Sequence, residues 1–570
     1  MREPITLPIP AVRFPPVEDR GLGSSNESDS APATRSSIRQ HSRLTIDHRE
    51  LTGLAYALLV GLLVRLTFVA GQTFPLNDGG LFYAMIQDLQ HNHFLLPAFT
   101  SYNGTGIPFT YPPLGFYVTG FLASLTHWQL LGLLRTIPLV VSVLSIVAFF
   151  WLARAMLPIG RGPIYATFAF ALLPMAFDWD IMGGGITRSF GLLFSILALR
   201  EIYVVFHRPN RRHLALASSL AAATVLSHPE AAYFTAYSAI LLWFFYSRTR
   251  RGILNAIAVG VGTLLLTSPW WLTVVLRFGL TPFRSLSDDG FPILTGLSQL
   301  LLLRLTNEAL FPVIEAVALL GVIVCVWKRS YVLPLWVIVT FVVQSRAADQ
   351  RAVIPLALLA GLGVSEVLAP LLSNPGFARA HGTARQLTGT IGSTTRSGRL
   401  VNVVLGVLVL YAALGAVVSG RSVVAALPNA QLTAMHWIAG HTPSSSRFLV
   451  ITSRAWTFDS VSEWFPVLAE RTSVATVQGT EWLPGFSARI KSNDAAQACS
   501  HSNAQCLAHW ATQYESNVDY LYVAKGSKVT DLAGQVDQTA ALRASLAHDP
   551  AYQVIYDSTG ATIYRITARR

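Results

Sequence analysis

The chain has 570 residues, 52% of them hydrophobic and only 13% charged, with a formal net charge of +12. Apolar sequence in that proportion excludes a soluble globular protein of this length and implies a polytopic α-helical membrane protein. The positive balance then reflects topology and contact with anionic lipid headgroups, so nucleic acid is not an expected partner.

Residues 1–50 are rich in Ser, Pro and Arg without a sustained apolar run. They read as a disordered cytoplasmic tail and not as a cleaved signal. Measured against the roughly 20 residues that cross a bilayer, apolar runs at 51–71, 130–153, 163–177, 187–206, 213–227, 230–247, 253–276, 308–327, 331–345, 351–372 and 401–420 give about eleven transmembrane helices. Short cytoplasmic loops retain positive charge. If the loop 72–129 is exterior, then Arg154, Arg161, the basic residues of 207–213 and 247–252, Lys328, Arg329 and the Arg379–Arg399 stretch all fall inside. Asp78, Asp178, Asp180, Asp288, Asp289 and Asp349 then fall outside. The chain is thereby expected to be a multi-pass plasma-membrane protein with its N-terminus cytoplasmic and its C-terminal domain exterior.

That orientation needs "YPPLGFYVTGFLASLTHW", 111–128, to lie on the outer interface without crossing. Pro112 and Pro113 suit a helix start, and the aromatic residues suit the headgroup level. An ordinary span there would move every later loop to the other side. Arg65, inside the first apolar run, is unusual because an unpaired guanidinium in hydrocarbon is expensive; it either snorkels outward or pairs with an acid.

A first span, an exterior loop with an early acid in "NDGGLFYAM", then "YPPLGFY", then a span beginning near Arg135 resembles the GT-C class of membrane glycosyltransferases. The likeness is strongest to its protein mannosyltransferase and aminoarabinose transferase branch and covers about 51–372. It implies a GT-C-like transmembrane domain, 51–427, whose first exterior loop carries the catalytic acid and whose donor is a sugar on a polyprenyl phosphate. Asp78 is then the catalytic residue, accepting the proton of an acceptor hydroxyl as it attacks the anomeric carbon. Gly79 and Gly80 would let backbone approach the headgroup. Capping of the helix that begins near Leu81 is the competing role for Asp78. Many relatives have two adjacent acids here, whereas Asn77 precedes Asp78 in this chain.

In "FDWDIMGGGITR", Asp178 and Asp180 could together bind one hard cation in an irregular loop. A similar D-x-D in oligosaccharyltransferase relatives helps bind a divalent metal, which points to Mg or Mn. Solvated acids at a helix end are the plain alternative. Arg188 follows in the first turn of the next span as a donor-phosphate ligand. In "LSHPEAAYF", His228 could complete the metal shell and Glu230 could hydrogen-bond a sugar, with Tyr111 as another substrate contact; a structural histidine serves equally well. "QSRAADQRAVIP" sets Arg346 and Arg351 on either side of a short exterior turn, suited to the donor phosphate or to lipid phosphates.

From 428 the chain becomes more polar, with strand-like runs at 447–453, 518–524 and on both sides of a Ser558–Gly560 turn, which reads as an exterior soluble α/β domain over 428–570. Trp464 and Trp482 are candidates for sugar stacking, although core roles suit them better. Cys499 and Cys506 are placed for a disulfide in an oxidising compartment. No phosphate-loop or dinucleotide motif occurs in a plausible setting. The function expected is transfer of a sugar, with inversion, to an envelope glycan, lipid or protein acceptor. A transporter or flippase of lipid-linked sugars and a noncatalytic membrane scaffold remain open at this point.

Overall fold

In the computed structural model, residues 47–285, 293–373, 396–526, 528–531 and 534–567 are described. Most of the N-terminal tail, Asp288, Asp289 and the arginines at 379 and 385 lie outside them. Each of the eleven apolar runs is helical. Only six of these helices, His48–Val69, Leu130–Met156, Gly185–His207, Arg250–Phe278, Ser345–Ser373 and Arg399–Val423, are long and apolar enough to cross a membrane. The other five run from 11 to 18 residues, Gly162–Leu172 to Pro229–Tyr246. Length explains the difference, because at about 1.5 Å per residue an 11-residue helix spans about 16 Å of a hydrocarbon core about 30 Å thick.

The Ser345–Ser373 helix is the most enclosed of the six. It packs against Val313–Trp327, Val332–Val343 and Gly162–Leu172, while Gly185–His207 packs against Leu130–Met156, Arg211–Val225 and Pro229–Tyr246. Arg65 is fully buried and does not snorkel. Its guanidinium donates to Ser142 Oγ at 2.9 Å, Gly61 O at 3.0 Å and Ala171 O at 2.9 Å, and lies 4.6 Å over the Phe177 ring. Two neighbouring helices therefore supply the polar partners that hydrocarbon lacks.

Between the first two spans the chain forms helices Gly80–His91 and Leu114–Thr126. The second has 13 residues and is too short to be a span. After the last span a mixed sheet forms from β1 (Arg447–Ile451), β2 (Thr472–Ser473), β3 (Tyr520–Ala524), β6 (Tyr552–Asp557) and β7 (Ala561–Ile566) in the order β2-β1-β3-β7-β6. β4 (Lys528–Asp531) and β5 (Gly534–Asp537) make a separate hairpin. β1 is parallel to β2 and β3, and the β6–β7 hairpin closes the other edge antiparallel.

Alternate residues of a strand face opposite sides, and here the two sides have different tasks. Leu449, Ile451, Leu521 and Val523 pack on helices Phe486–Ala498 and Ala504–Gln513. Phe448, Val450, Tyr520 and Tyr522 join one continuous core with Phe74, Phe82, Met85, Tyr102 and Phe116 of the first loop. The C-terminal sheet is thus built onto that loop, not hung beside it.

Candidate functional site

Asp78 begins a tight passage where the first loop meets the turn 177–184. Its Oδ1 accepts the Gly184 amide at 2.9 Å, and its Oδ2 accepts Arg188 Nη2 at 2.7 Å. It does not cap the helix Gly80–His91, whose N-cap is Gly79 without any side-chain cap bond. A side chain at Gly184 would put Cβ 2.6 Å from Asp78 Oδ2, so only glycine permits this approach. Gly80 is needed for a different contact from the headgroup approach expected, since a Cβ there would lie 2.6 Å from Glu463 O. Arg188 also donates to Trp179 O at 2.9 Å. The phosphate ligand expected at Arg188 is therefore engaged as the ion-pair partner of Asp78.

Asn77, which stands where an adjacent second acid would be, has a structural task. Its Nδ2 donates to Val423 O and its Oδ1 accepts from Ala425 N, both at 2.7 Å, clamping the loop to the end of the last span. The clamp needs one donor and one acceptor, which an amide supplies and a carboxylate does not.

Asp178 and Asp180 sit in the turn after Gly162–Leu172. Burial pushes Asp180 up to about 6 against the opposing charges of Arg351, Arg188 and Arg65. Burial also raises Asp178, whose nearby cation is Arg65 and whose two carboxylate oxygens are buried with no hydrogen-bond partner among the described residues. His228 Nδ1 lies 3.5 Å from Arg351 Nη2, and burial together with Arg351, Arg188 and Arg346 lowers its pKa well below the ordinary histidine value. Glu230 lies 3.9 Å from Arg351 and 4.0 Å from Arg346. Tyr111 connects the two halves of the site, with its ring 5.1 Å from Phe82, 6.4 Å from His228 and 5.8 Å from Trp482.

The metal shell expected from Asp178, Asp180 and His228 is not formed, and among the described residues no group of three or more such ligands could hold an ion. In the tight turn, with Asp180 N and Ile181 N both bonded to Phe177 O, the two carboxylates share Arg65, and the charge of Asp180 adds to the upward push on Asp178. Asp178, Asp180 and His228 all have arginines close by, Arg65 beside both acids and Arg351 and Arg188 beside Asp180 and His228, where a dication would need anionic ligands. One orphaned carboxylate at Asp178 is not a ligand set, so these residues do not fit a divalent metal.

The residue that sequence reasoning missed is Glu463, from the short helix Ser460–Leu468. Its Oε1 accepts the Gly79 amide at 2.8 Å. Next to it, Trp464 Nε1 donates to Asn77 O at 2.9 Å. Trp464 is fully buried and Trp482 nearly so, packed against Tyr111 and Phe283, so both tryptophans are wall and core residues. The available signal was the one charged residue of a short helix, set beside Val461, Trp464 and Phe465. Far from this site, Cys499 and Cys506 are joined by a disulfide, with their Cα atoms 5.6 Å apart.

No family model matches the sequence, and no curated protein is significantly similar to it. Among solved structures the chain is similar to the oligosaccharyltransferase AglB of Archaeoglobus fulgidus in complex with an inhibitory peptide and a dolichol-phosphate, with a TM-score of 0.56 and 15% identity over 84% of this chain and 69% of that one. AglB has also been solved with zinc and sulfate. The arabinofuranosyltransferase AftD from Mycobacteria matches with a TM-score of 0.53 and 16% identity over 92% of this chain, which spans only 40% of AftD. ArnT from Cupriavidus metallidurans bound to undecaprenyl phosphate matches with a TM-score of 0.52 and 13% identity over 90% of this chain and 97% of that one. At such identities the likeness is one of fold: the chain shares its fold with AglB, AftD and ArnT, which are glycosyl-group transferases by name.

Proposed function

We propose that the chain is a membrane glycosyltransferase that moves a sugar from a polyprenyl-phosphate carrier to a glycan, lipid or protein acceptor on the exterior face. The observation that carries this reading is the gathering of one oriented carboxylate, Asp78, with the arginines Arg351 and Arg346 around Tyr111, His228 and Glu230. In the reaction the acceptor oxygen bonds to the anomeric carbon while the carbon–oxygen bond to the carrier phosphate breaks. The bonding pair leaves on the phosphate, and the hydroxyl proton passes to Asp78. Arg188 and the Gly184 amide fix the direction in which that carboxylate points. Arg351, buried, and Arg346, more exposed, are suited to the phosphate charge that grows as the bond breaks.

Purified protein in lipid vesicles, offered a panel of polyprenyl-phosphate-linked sugars and scored by release of polyprenyl phosphate, tests this. Asp78→Asn should lower release by about 10²–10⁴-fold, the usual contribution of a positioned base, while thermal unfolding stays at the wild-type midpoint. Near-wild-type release by a folded Asp78→Asn protein would sink the base assignment. A protein that moves lipid-linked sugars across the vesicle without releasing carrier phosphate belongs to the transporter class instead.

A further inference from the structure

Three hydrogen bonds tie the loop that carries Asp78 to the helix Ser460–Leu468. Glu463 Oε1 accepts from Gly79 N at 2.8 Å, Trp464 Nε1 donates to Asn77 O at 2.9 Å, and Tyr102 Oη donates to Glu463 O at 2.7 Å. Asp78 lies between the two gripped residues. Removing a carboxyl from water is costly unless its surroundings hold it, and Glu463 is only 5% exposed. The groups facing it are Asp78 from the first loop, Arg188 from the Gly185–His207 helix and Glu481 from the turn Thr480–Trp482. The Tyr102 phenol sits against its backbone, with Asp459, the N-cap of its own helix, also near that phenol.

Burial, and then the charge of Asp78, push the Glu463 carboxyl up to about 8. Both causes favour the neutral form of the acid. A neutral carboxyl can accept from the Gly79 amide without repelling the carboxylate one residue away, which an ionised neighbour would do. Among the described residues no other side chain accepts from the Gly79 amide, and the close approach at Gly80 leaves the helix no room to shift toward the loop.

We propose that Glu463 is a positioning residue of the centre: by holding the Gly79 amide it fixes the turn that presents Asp78, and it thereby makes the C-terminal part of the chain a component of the active site. This rests on the reading of Asp78 as the reacting carboxylate for its functional consequence, but its structural content stands separately.

Hydrogen–deuterium exchange on the full-length protein in detergent, followed at peptides covering 74–85, reads the grip directly without any substrate. Glu463→Ala should speed exchange there by about tenfold or more, because the amide loses its partner and the turn opens locally. Glu463→Gln keeps an oxygen acceptor and stays neutral, so it should exchange close to wild type at neutral pH. Between pH 6 and pH 9.5, after correction for intrinsic exchange, wild-type protection of 74–85 should fall and that of Glu463→Gln should not. Release of polyprenyl phosphate should follow the same order, lost in Glu463→Ala and largely restored in Glu463→Gln.

Wild-type protection in Glu463→Ala overturns the proposal, and so does Glu463→Gln exchanging as fast as Glu463→Ala. If the exchange pattern holds but Asp78→Asn keeps its turnover, the assignment of Asp78 as the base fails while the grip on the Asp78 turn stands.

Discussion

Replacing Asn77 by aspartate would give this loop two adjacent acids, and the geometry says that the outcome is damage, not a second catalytic group. Asn77 is 7% exposed, and its amide must donate to Val423 O while accepting from Ala425 N, each at 2.7 Å. An ionised carboxylate in its place would set an oxygen against the Val423 carbonyl with no proton between them and a second charge beside Asp78. The less costly solution is for the introduced carboxyl to take up a proton and donate. Holding a carboxyl of ordinary pKa about 3.9 protonated at pH 7 costs about three pH units at about 1.4 kcal/mol each, or about 4 kcal/mol. At pH 5 the same requirement costs about 1.5 kcal/mol. The sign follows from linkage: the folded pKa of the introduced carboxyl lies above the unfolded one, so its contribution is intact below the unfolded value and is lost as pH rises. Asn77→Asp should therefore be clearly less stable than wild type at pH 7, with the gap shrinking by about 2.7 kcal/mol at pH 5. Equilibrium unfolding of the detergent-solubilised pair at both pH values checks this. A stability gap that is absent, or that does not change with pH, would refute the clamp.

Glu463→Gln should gain stability on wild type as pH rises from 5 to 8, by up to about 1.4 kcal/mol per unit. The reason is that Glu463 is held up to about 8 in the folded protein, so the stability it confers is lost across the interval from its unfolded value to about 8; unfolding midpoints at three pH values would show it. Arg351→Ala should weaken binding of undecaprenyl phosphate, measured by native mass spectrometry, more than Arg346→Ala does, because Arg351 is buried against Glu230 and His228 whereas Arg346 is 43% exposed. Alkylation of unfolded protein should label one thiol, Cys325, before reduction and three after it, given the Cys499–Cys506 bridge. Labelling of all three without reduction would contradict the bridge.

What the sequence disclosed was whatever short-range pattern encodes. The apolar runs became helices, and Asp78, Asp180, His228, Glu230 and the two arginines of 346–351 lie near one another, because each stands close to the end of a helix whose period and length are legible. The runs 447–453 and 518–524 and the pair around Ser558–Gly560 became β1, β3 and the β6–β7 hairpin for the same reason. A metal set from Asp178, Asp180 and His228 did not gather because spacing gives proximity along the chain but not the arginines that other helices bring beside all three. Arg65 was flagged by its cost, yet its partners Ser142 and Ala171 belong to other helices that no local pattern names. Glu463 was invisible because its partner Gly79 is 384 residues away, and a single acid in "SEWFP" looks like a solvated one until the loop is folded against it.

The same separation has a consequence in time. The C-terminal part of the chain, with Phe448, Val450, Tyr520 and Tyr522 of the sheet and Trp464 and Phe465 of the helix before β2, shares one core with the first loop, yet a ribosome adding about 5–20 residues per second makes Glu463 some 20–80 seconds after Gly79. Throughout that interval Phe74, Phe82 and Met85 have been synthesised without the surface that buries them, and the turn bearing Asp78 has no hand on its amide. The first loop thus lacks part of its core until the last quarter of the chain arrives, and segment 74–126 should be cut readily by protease in ribosome-bound chains that end before β1 and resist it in finished ones.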